Sequence, residues 1–120
     1  MSTGIPPGIM AEPPKARRSK MENVLTVVAR IYPKAGKEDD AAALLVKMAD
    51  AVKQAEPDCL VYRPHRAAKD PVVFLFYEQY RSRAAFDFHR TAPHLAGYRE
   101  QLKGLLDKPT EVEFYHSPTA

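Results

Sequence analysis

The sequence predicts an α+β protein whose elements follow the ferredoxin-like order βαββαβ. Four short segments are rich in β-branched and aromatic residues, and longer segments between them carry apolar residues at helical spacing. Proline or glycine stands at most of the boundaries. The 120 residues are 45% hydrophobic and 28% charged, which is typical of one globular domain with a single core.

The first half of the chain divides into a strand, a helix and a strand. Residues 24–32 carry apolar side chains at alternate positions, which predicts the first strand. Residues 37–54 carry them every three or four positions, with three acidic residues in the first turn, where the helix dipole favours them. Pro57 ends this predicted helix, and residues 59–66 form the second strand.

The second half adds a strand, two helical segments and a last strand. Residues 72–80 are the most apolar stretch, which indicates a central strand. Ser82 is the predicted N-cap of a helix over residues 84–90, and Thr91 is the predicted N-cap of the next helix, which has a proline in its first turn. Residues 111–116 alternate as the final strand.

The basic character of the chain is concentrated at its N-terminus. The chain has 18 basic and 15 acidic residues. The first twenty positions hold four of the basic residues and one of the acidic residues, so the remaining hundred positions hold 14 basic and 14 acidic residues. Residues 1–20 are rich in proline and poor in large apolar side chains, so we expect a flexible basic tail before a domain over residues 21–120. The neutral domain gives no reason to expect nucleic-acid binding.

The single cysteine and the hydropathy pattern indicate the compartment. Cys59 has no second cysteine to pair with, so an intrachain disulfide is excluded. No apolar run approaches the roughly 20 residues of a membrane span, and the N-terminus lacks the apolar stretch of a secretory signal. We therefore expect a cytoplasmic protein without a membrane span.

A ferredoxin-like sheet has helices on one face only, and its other face must be covered. Both sets of alternate positions in the third strand are apolar, so the uncovered face is expected to be apolar as well. A homodimer that packs two such sheets face to face would cover it, giving a dimeric α+β barrel, and higher oligomers remain open.

Chemically active residues are concentrated between the third strand and the following helices. Glu78 shares the strand face of Phe76 and Tyr80, so its carboxylate is expected beside the core, either as a base, as the partner of an arginine or as the partner of a histidine. His89 and His94 follow within sixteen residues. The candidate catalytic residues are therefore Glu78, His89 and His94, and the candidate substrate-binding residues are Tyr62, His65, Phe76, Tyr80 and Arg99.

The two histidines occupy opposite helix ends, which predicts different protonation behaviour. His89 lies near a helix C-terminus, where the dipole favours a charged imidazole and predicts a raised pKa. His94 lies in a first turn, where the neutral ring is favoured. Such a pair could divide acid and base tasks. The two rings are five residues apart across a helix break and no Asp or Cys completes a ligand set, so no metal site is predicted.

Four segments together resemble the antibiotic biosynthesis monooxygenase (ABM) domain family. They are Val-Val-Ala-Arg-Ile at 27–31, Glu-Pro-Asp-Cys-Leu-Val-Tyr at 56–62, Tyr-Glu-Gln-Tyr at 77–80 and His-Arg-Thr-Ala-Pro-His at 89–94. The resemblance covers about residues 24–116. It implies a dimeric α+β barrel with a cavity between each sheet and its own helices.

Three candidate functions follow, two implied by the resemblance and a third that the fold also permits. The first is a monooxygenase that uses no metal or flavin, in which a histidine deprotonates a quinol or anthrone that then reacts with molecular oxygen. The second is a cofactor-free keto–enol isomerase of a small phosphorylated carbonyl compound, with Arg30, Arg63, Arg66 and Arg99 as candidate phosphate ligands. The third is a dimeric small-molecule binding protein without catalysis.

Overall fold

The computed structural model describes residues 24–119, and the predicted tail at 1–20 lies outside the described residues. Its elements are β1 (Leu25–Ile31), α1 (Glu38–Ala55), β2 (Cys59–Arg66), β3 (Phe74–Tyr80), α2 (Arg83–Arg90), α3 (Pro93–Lys103) and β4 (Glu111–Tyr115). This order confirms the predicted βαββαβ unit, with the second helical region divided between α2 and α3.

The four strands form one sheet in the order β2-β3-β1-β4, and each pair of neighbours is antiparallel. We call the face toward the helices the inner face and the opposite one the outer face. In β1 burial alternates residue by residue, because successive side chains of a strand point to opposite faces. The buried inner set is Leu25, Val27, Ala29 and Ile31.

Strand β3 has the expected central position and carries its one acidic residue on the inner face. Phe74, Phe76, Glu78 and Tyr80 are all buried there, and Glu78 pairs in register with Val27 of β1. The apolar neighbours surround this carboxylate with core side chains. The sheet therefore places an ionisable group, the Glu78 carboxylate, in an otherwise apolar interior.

The helices leave a space above part of the inner face. Helix α1 packs against β2 and α3, while α2 contacts β2 and β3. Helix α3 packs on α1 rather than closely on the strands, so its inward side chains face the sheet across a gap. None of the helices within residues 24–119 is long and apolar enough to cross a membrane.

The junctions of α2 differ from the expectation at one end. The Ser82 hydroxyl accepts a hydrogen bond from the backbone N–H of Ala85 at 3.2 Å, which confirms this N-cap. Thr91 as the N-cap of α3 is wrong. Its hydroxyl donates back to the carbonyl of Asp87, Ala92 occupies the N-cap position, and Pro93 begins α3. The first-turn proline lacks an N–H and leaves one fewer donor to cap.

Candidate active site

A cavity of about 710 Å³ lies between the inner face and helices α2 and α3. This volume falls within the range of small-molecule sites. Most of its wall is apolar, from β1, β3, α3 and β4, and polar side chains project from a few positions only. Five of the eight predicted site residues line it, namely Tyr62, Phe76, Glu78, His89 and Arg99.

The other three predicted residues lie elsewhere. His94 and Tyr80 are not in the cavity wall, but each contacts a carboxylate beside it. His65 is exposed and lies opposite Leu75 on the outer face of the sheet. The structure therefore does not bring His65 to the cavity. In β2 the inner positions are those that share the face of Tyr62, and His65 has the opposite parity.

A buried carboxylate that sequence reasoning did not single out joins the two histidines. Glu56 is the C-cap residue of α1 and is only 4% exposed. Its carboxylate lies 3.0 and 3.1 Å from Nδ1 of His89 and 2.6 Å from Nε2 of His94. Because a carboxylate only accepts hydrogen bonds, both ring nitrogens donate to it. An acidic residue at a helix C-terminus opposes the dipole, and that mismatch is the sequence signal that could have identified it.

These hydrogen bonds fix the tautomer of His89. With Nδ1–H donated to Glu56, the neutral ring carries its lone pair on Nε2, and His89 lines the cavity. Glu56 also holds the ring in orientation and stabilises the imidazolium that forms when Nε2 takes a proton. The Glu56–His89 pair is thus arranged as an oriented general base.

The raised pKa expected for His89 is wrong. Burial lowers the pKa of this imidazole below its usual value, and the positive charge of Arg99 lowers it further, while Glu56 opposes both effects. The free-energy cost of removing the charged ring from water is larger than the stabilisation that the helix end gives it. His89 is therefore neutral at physiological pH and available to accept a proton.

Glu78 forms a second unit with Tyr80 on the same strand face. The Tyr80 hydroxyl donates to Glu78 Oε1 at 2.6 Å. Burial raises the pKa of Glu78 to about 7, although Tyr80 and Arg99 both favour the ionised form. Burial likewise raises the pKa values of Tyr62 and Tyr80, so both phenols remain protonated donors. Of the two candidate acid–base groups in the cavity wall, Glu78 therefore titrates near neutrality, while His89 presents a neutral imidazole.

Arg99 connects α3 to the end of α2. Its guanidinium donates to the backbone carbonyls of His89 and Arg90 at 2.9 Å each, which satisfies acceptors at a helix C-terminus. The other three arginines considered for phosphate do not line the cavity. Arg30 pairs with Glu113, Arg66 pairs with Asp39 at 3.1 Å, and Arg63 is exposed.

Two imidazoles and one carboxylate are also a set that can bind non-haem iron. Between residues 24 and 119, however, no group of three or more His, Cys, Asp and Glu side chains is arranged to hold a metal ion. In this structure Glu56 is the hydrogen-bond acceptor for both rings.

Burial raises the pKa of the nearby Cys59 thiol to about 12, so the thiol remains protonated and unreactive.

Comparison with known proteins gives a consistent family. The family model described as antibiotic biosynthesis monooxygenase matches residues 24–101. "Putative monooxygenase Rv0793" of Mycobacterium tuberculosis is 37% identical over 92 residues, which are 77% of this chain and 89% of that protein. The solved structure of Rv0793 has a TM-score of 0.70 at 34% identity, covering 81% of this chain and 96% of that one.

More distant structures share the fold. A Caulobacter crescentus protein has a TM-score of 0.76 at 20% identity, covering 85% of this chain and 96% of that one, which shows the fold alone. The protein SO0527 of Shewanella oneidensis has a TM-score of 0.72 at 26% identity, covering 80% of this chain and 92% of its own.

Proposed function

This chain belongs to the antibiotic biosynthesis monooxygenase family, and from that premise we propose that it is a cofactor-independent monooxygenase acting on a hydroxylated aromatic of the quinol or anthrone type. The observation that carries this proposal is the Glu56–His89 pair, which presents an oriented, neutral imidazole to an apolar cavity. The cavity volume suits an aromatic compound of two or three fused rings.

In the proposed reaction the protein handles protons and the substrate supplies the electrons. His89 Nε2 removes a proton from the substrate, and the resulting anion transfers one electron to molecular oxygen. Recombination of the radical pair forms a carbon–oxygen bond. Cleavage of the oxygen–oxygen bond then leaves one oxygen atom in the product and releases the other as water, so an anthrone and O₂ give an anthraquinone and H₂O.

Three neighbouring groups support that anion and limit side reactions. The protonated Tyr62 hydroxyl and the Arg99 guanidinium line the same cavity and can stabilise negative charge on the substrate oxygen. The mostly apolar wall offers water few hydrogen-bond partners beside the reactive pair. Glu78, with its pKa near 7, can return a proton when the peroxide decomposes.

The presence of two proton carriers also favours a second candidate, keto–enol isomerisation. His89 and Glu78 line one cavity, so one group could remove a proton while the other supplies it at a different substrate atom. This reaction needs no oxygen. It therefore predicts deuterium uptake from D₂O at the substrate carbon under nitrogen.

The decisive experiment is oxygen uptake with naphthoquinol and anthrone panels, without added cofactor, for wild type, His89→Gln, Glu56→Gln and the control His116→Gln. His116 is exposed and outside the cavity wall. Loss of the base is expected to lower the rate by roughly 10²- to 10⁴-fold, and loss of its carboxylate partner by less. Circular dichroism checks that each variant is folded.

Equal uptake in all four proteins would contradict the proposal, because spontaneous quinol oxidation alone would then explain it. Deuterium exchange under nitrogen that is lost in His89→Gln, without enzymatic oxygen uptake, would instead select the isomerase. A third result, ligand binding that persists in His89→Gln with no reaction of either kind, would select the binding protein.

We also propose that the outer face of the sheet forms a homodimer interface and that the protein is cytoplasmic. Tyr77 and Tyr115 are 38% and 48% exposed on that face, next to the half-buried Val28 and Leu75. Such a patch of aromatic and aliphatic side chains on a sheet is typical of a protein–protein contact.

A further inference from the structure

The polar groups of the cavity are divided between its two ends. Glu78 pairs in register with Val27 of β1 and with Tyr62 of β2. The Tyr62 ring lies 5.0 Å from the His89 ring, centroid to centroid. The acid–base groups are therefore gathered at the level of Val27, and we call this the reactive end.

The opposite end lies beyond the other terminus of β1. The loop after α3 is fixed there, because Asp107 donates its backbone N–H to the Tyr32 carbonyl at 2.7 Å. Ile31 and Lys108 line the cavity in this region. Ile31 lies four positions after Val27 along the strand, so the two ends are about 13 Å apart at about 3.3 Å per residue.

Two lysines mark this far end, which we call the cationic end. Four cationic side chains line the cavity: Lys103 and Lys108 here, and Arg90 and Arg99 nearer the reactive end, where Arg99 donates to the Arg90 carbonyl. Lys103 follows Arg99 by one turn of α3, about 6 Å along the helix axis. Glu78, at the reactive end, is the one acidic residue among the lining residues that the structure describes.

The partners of these lysines lie outside the cavity wall, and Lys108 Nζ also lies 4.0 Å from the centre of the Tyr32 ring. Lys103 contacts Glu100 at 2.8 Å and Lys108 contacts Glu111 at 3.7 Å, and neither glutamate lines the cavity. All four side chains are at least half exposed, and such solvent-exposed pairs contribute little energy. An anion in the cavity can therefore compete for the ammonium groups.

We propose that the substrate is an elongated aromatic compound with its reacting hydroxyl at one end and an anionic substituent, a carboxylate or a phosphate ester, at the other. The hydroxyl reaches His89, and Lys103 and Lys108 bind the anion. This rests on the proposed function for the reacting end only. Lys103 and Lys108 act as specificity residues, because an uncharged analogue leaves the cationic end without its partner.

Calorimetric binding of three naphthalene probes tests the proposal without requiring turnover. The compound 6-hydroxy-2-naphthoate carries hydroxyl and carboxylate at opposite ends, 3-hydroxy-2-naphthoate carries them side by side, and 2-naphthol lacks the carboxylate. The first is expected to bind roughly tenfold more tightly than the other two at low salt, and to lose that advantage at 0.5 M salt.

Matched double variants then test whether the two lysines cause this binding preference. Lys103→Gln/Lys108→Gln should remove the roughly tenfold preference while leaving 2-naphthol binding unchanged. Lys47→Gln/Lys53→Gln removes two lysines of α1 that do not line the cavity and should keep the preference. A second pair of probes, 2-naphthoate and 2-naphthyl phosphate, identifies the anion class by whichever binds more tightly.

Two results would overturn the proposal. One is equal affinity of wild type for 6-hydroxy-2-naphthoate and 2-naphthol, and the other is a preference that survives in Lys103→Gln/Lys108→Gln. The outcome is separable from that of the monooxygenase test. Preferential anion binding without oxygen uptake would support anion recognition at the cationic end and contradict the monooxygenase proposal. Oxygen uptake without the preference would support the monooxygenase proposal and contradict anion recognition.

Discussion

At the scale of single residues, burial decides the behaviour of the ionisable groups more than position in a helix does. His89 stands at a helix end that favours a cation, yet its pKa falls because the ring is buried. Burial also raises the pKa of Glu78 to about 7, even though the Tyr80 hydroxyl donates a hydrogen bond to its carboxylate. Glu56 accepts a hydrogen bond from each of the two imidazoles because the fold places both rings beside its carboxylate.

The raised pKa of Glu78 predicts a pH-dependent loss of stability. A folded-state pKa of about 7 against a reference of 4.5 means that the folded protein binds this proton more tightly than the unfolded chain. The stability contribution is complete below pH 4.5 and is lost as pH rises through about 7. At about 1.4 kcal/mol per pH unit the loss amounts to roughly 3 kcal/mol.

Glu78→Gln should remove this loss, because the amide resembles the protonated carboxyl in shape but does not ionise. Urea unfolding of wild type and Glu78→Gln at pH 5 and pH 8 measures it, with the exposed Glu100→Gln as the control. The wild type and the control should lose more stability between the two pH values than Glu78→Gln does. The same loss in all three would show that Glu78 is not the titrating group.

At the scale of elements, the short helix α2 positions His89, the proposed base. It has only eight residues, too few to be stable alone, so its cap and its contacts with β2 and β3 hold it. Phe86 packs on Tyr80 with ring centroids 5.3 Å apart, one turn before His89. The Arg99 guanidinium satisfies carbonyls at its other end. The orientation of His89 therefore depends on both termini of α2.

The two hydroxyl residues that flank α2 should differ in their effect on stability. Ser82→Ala removes a side-chain N-cap and is expected to lower the free energy of unfolding by about 1 kcal/mol. Thr91→Ala removes only a bond from an exposed hydroxyl back to the Asp87 carbonyl, so its effect should be under about 0.5 kcal/mol.

Urea titration of both variants checks this order, and Ser82→Asp, which keeps an oxygen acceptor at the cap, should recover most of the loss. A larger loss for Thr91→Ala than for Ser82→Ala would contradict the assignment of Ser82 as the cap.

At the scale of the whole molecule, the sheet separates two surfaces with different tasks. Its inner face holds the cavity and most of the buried core, while its outer face combines aromatic and aliphatic side chains with the Arg30–Glu113 ion pair. Since one set of strands builds both surfaces, a proposed dimer through the outer face would also stiffen the wall that carries Glu78.

Tyr77→Lys should weaken this dimer. The two-fold axis of a homodimer places the substitution in the interface twice, so the dissociation constant is expected to rise on the order of 100-fold. Light scattering after size-exclusion chromatography over a range of concentrations measures it. Val46→Lys, on the exposed side of α1, is the matched control and should leave the association unchanged. A monomeric wild type would reject the interface.

The sequence by itself determined the order of elements, the central position of β3 and the inward side of Glu78. These are periodic properties, and the two-residue repeat of a strand reports which side chains share a face. The Ser82 cap was also readable, because it depends on a local contact over three residues.

Only the tertiary structure decided which groups meet. Glu56 lies 33 and 38 positions from its two histidines, and no local pattern records a contact across that distance. The cationic end arises likewise from the docking of the α3–β4 loop against the end of β1, which brings Lys108 into the same cavity as Lys103. Burial, and with it the lowered pKa of His89, depends on the packing of all these elements at once.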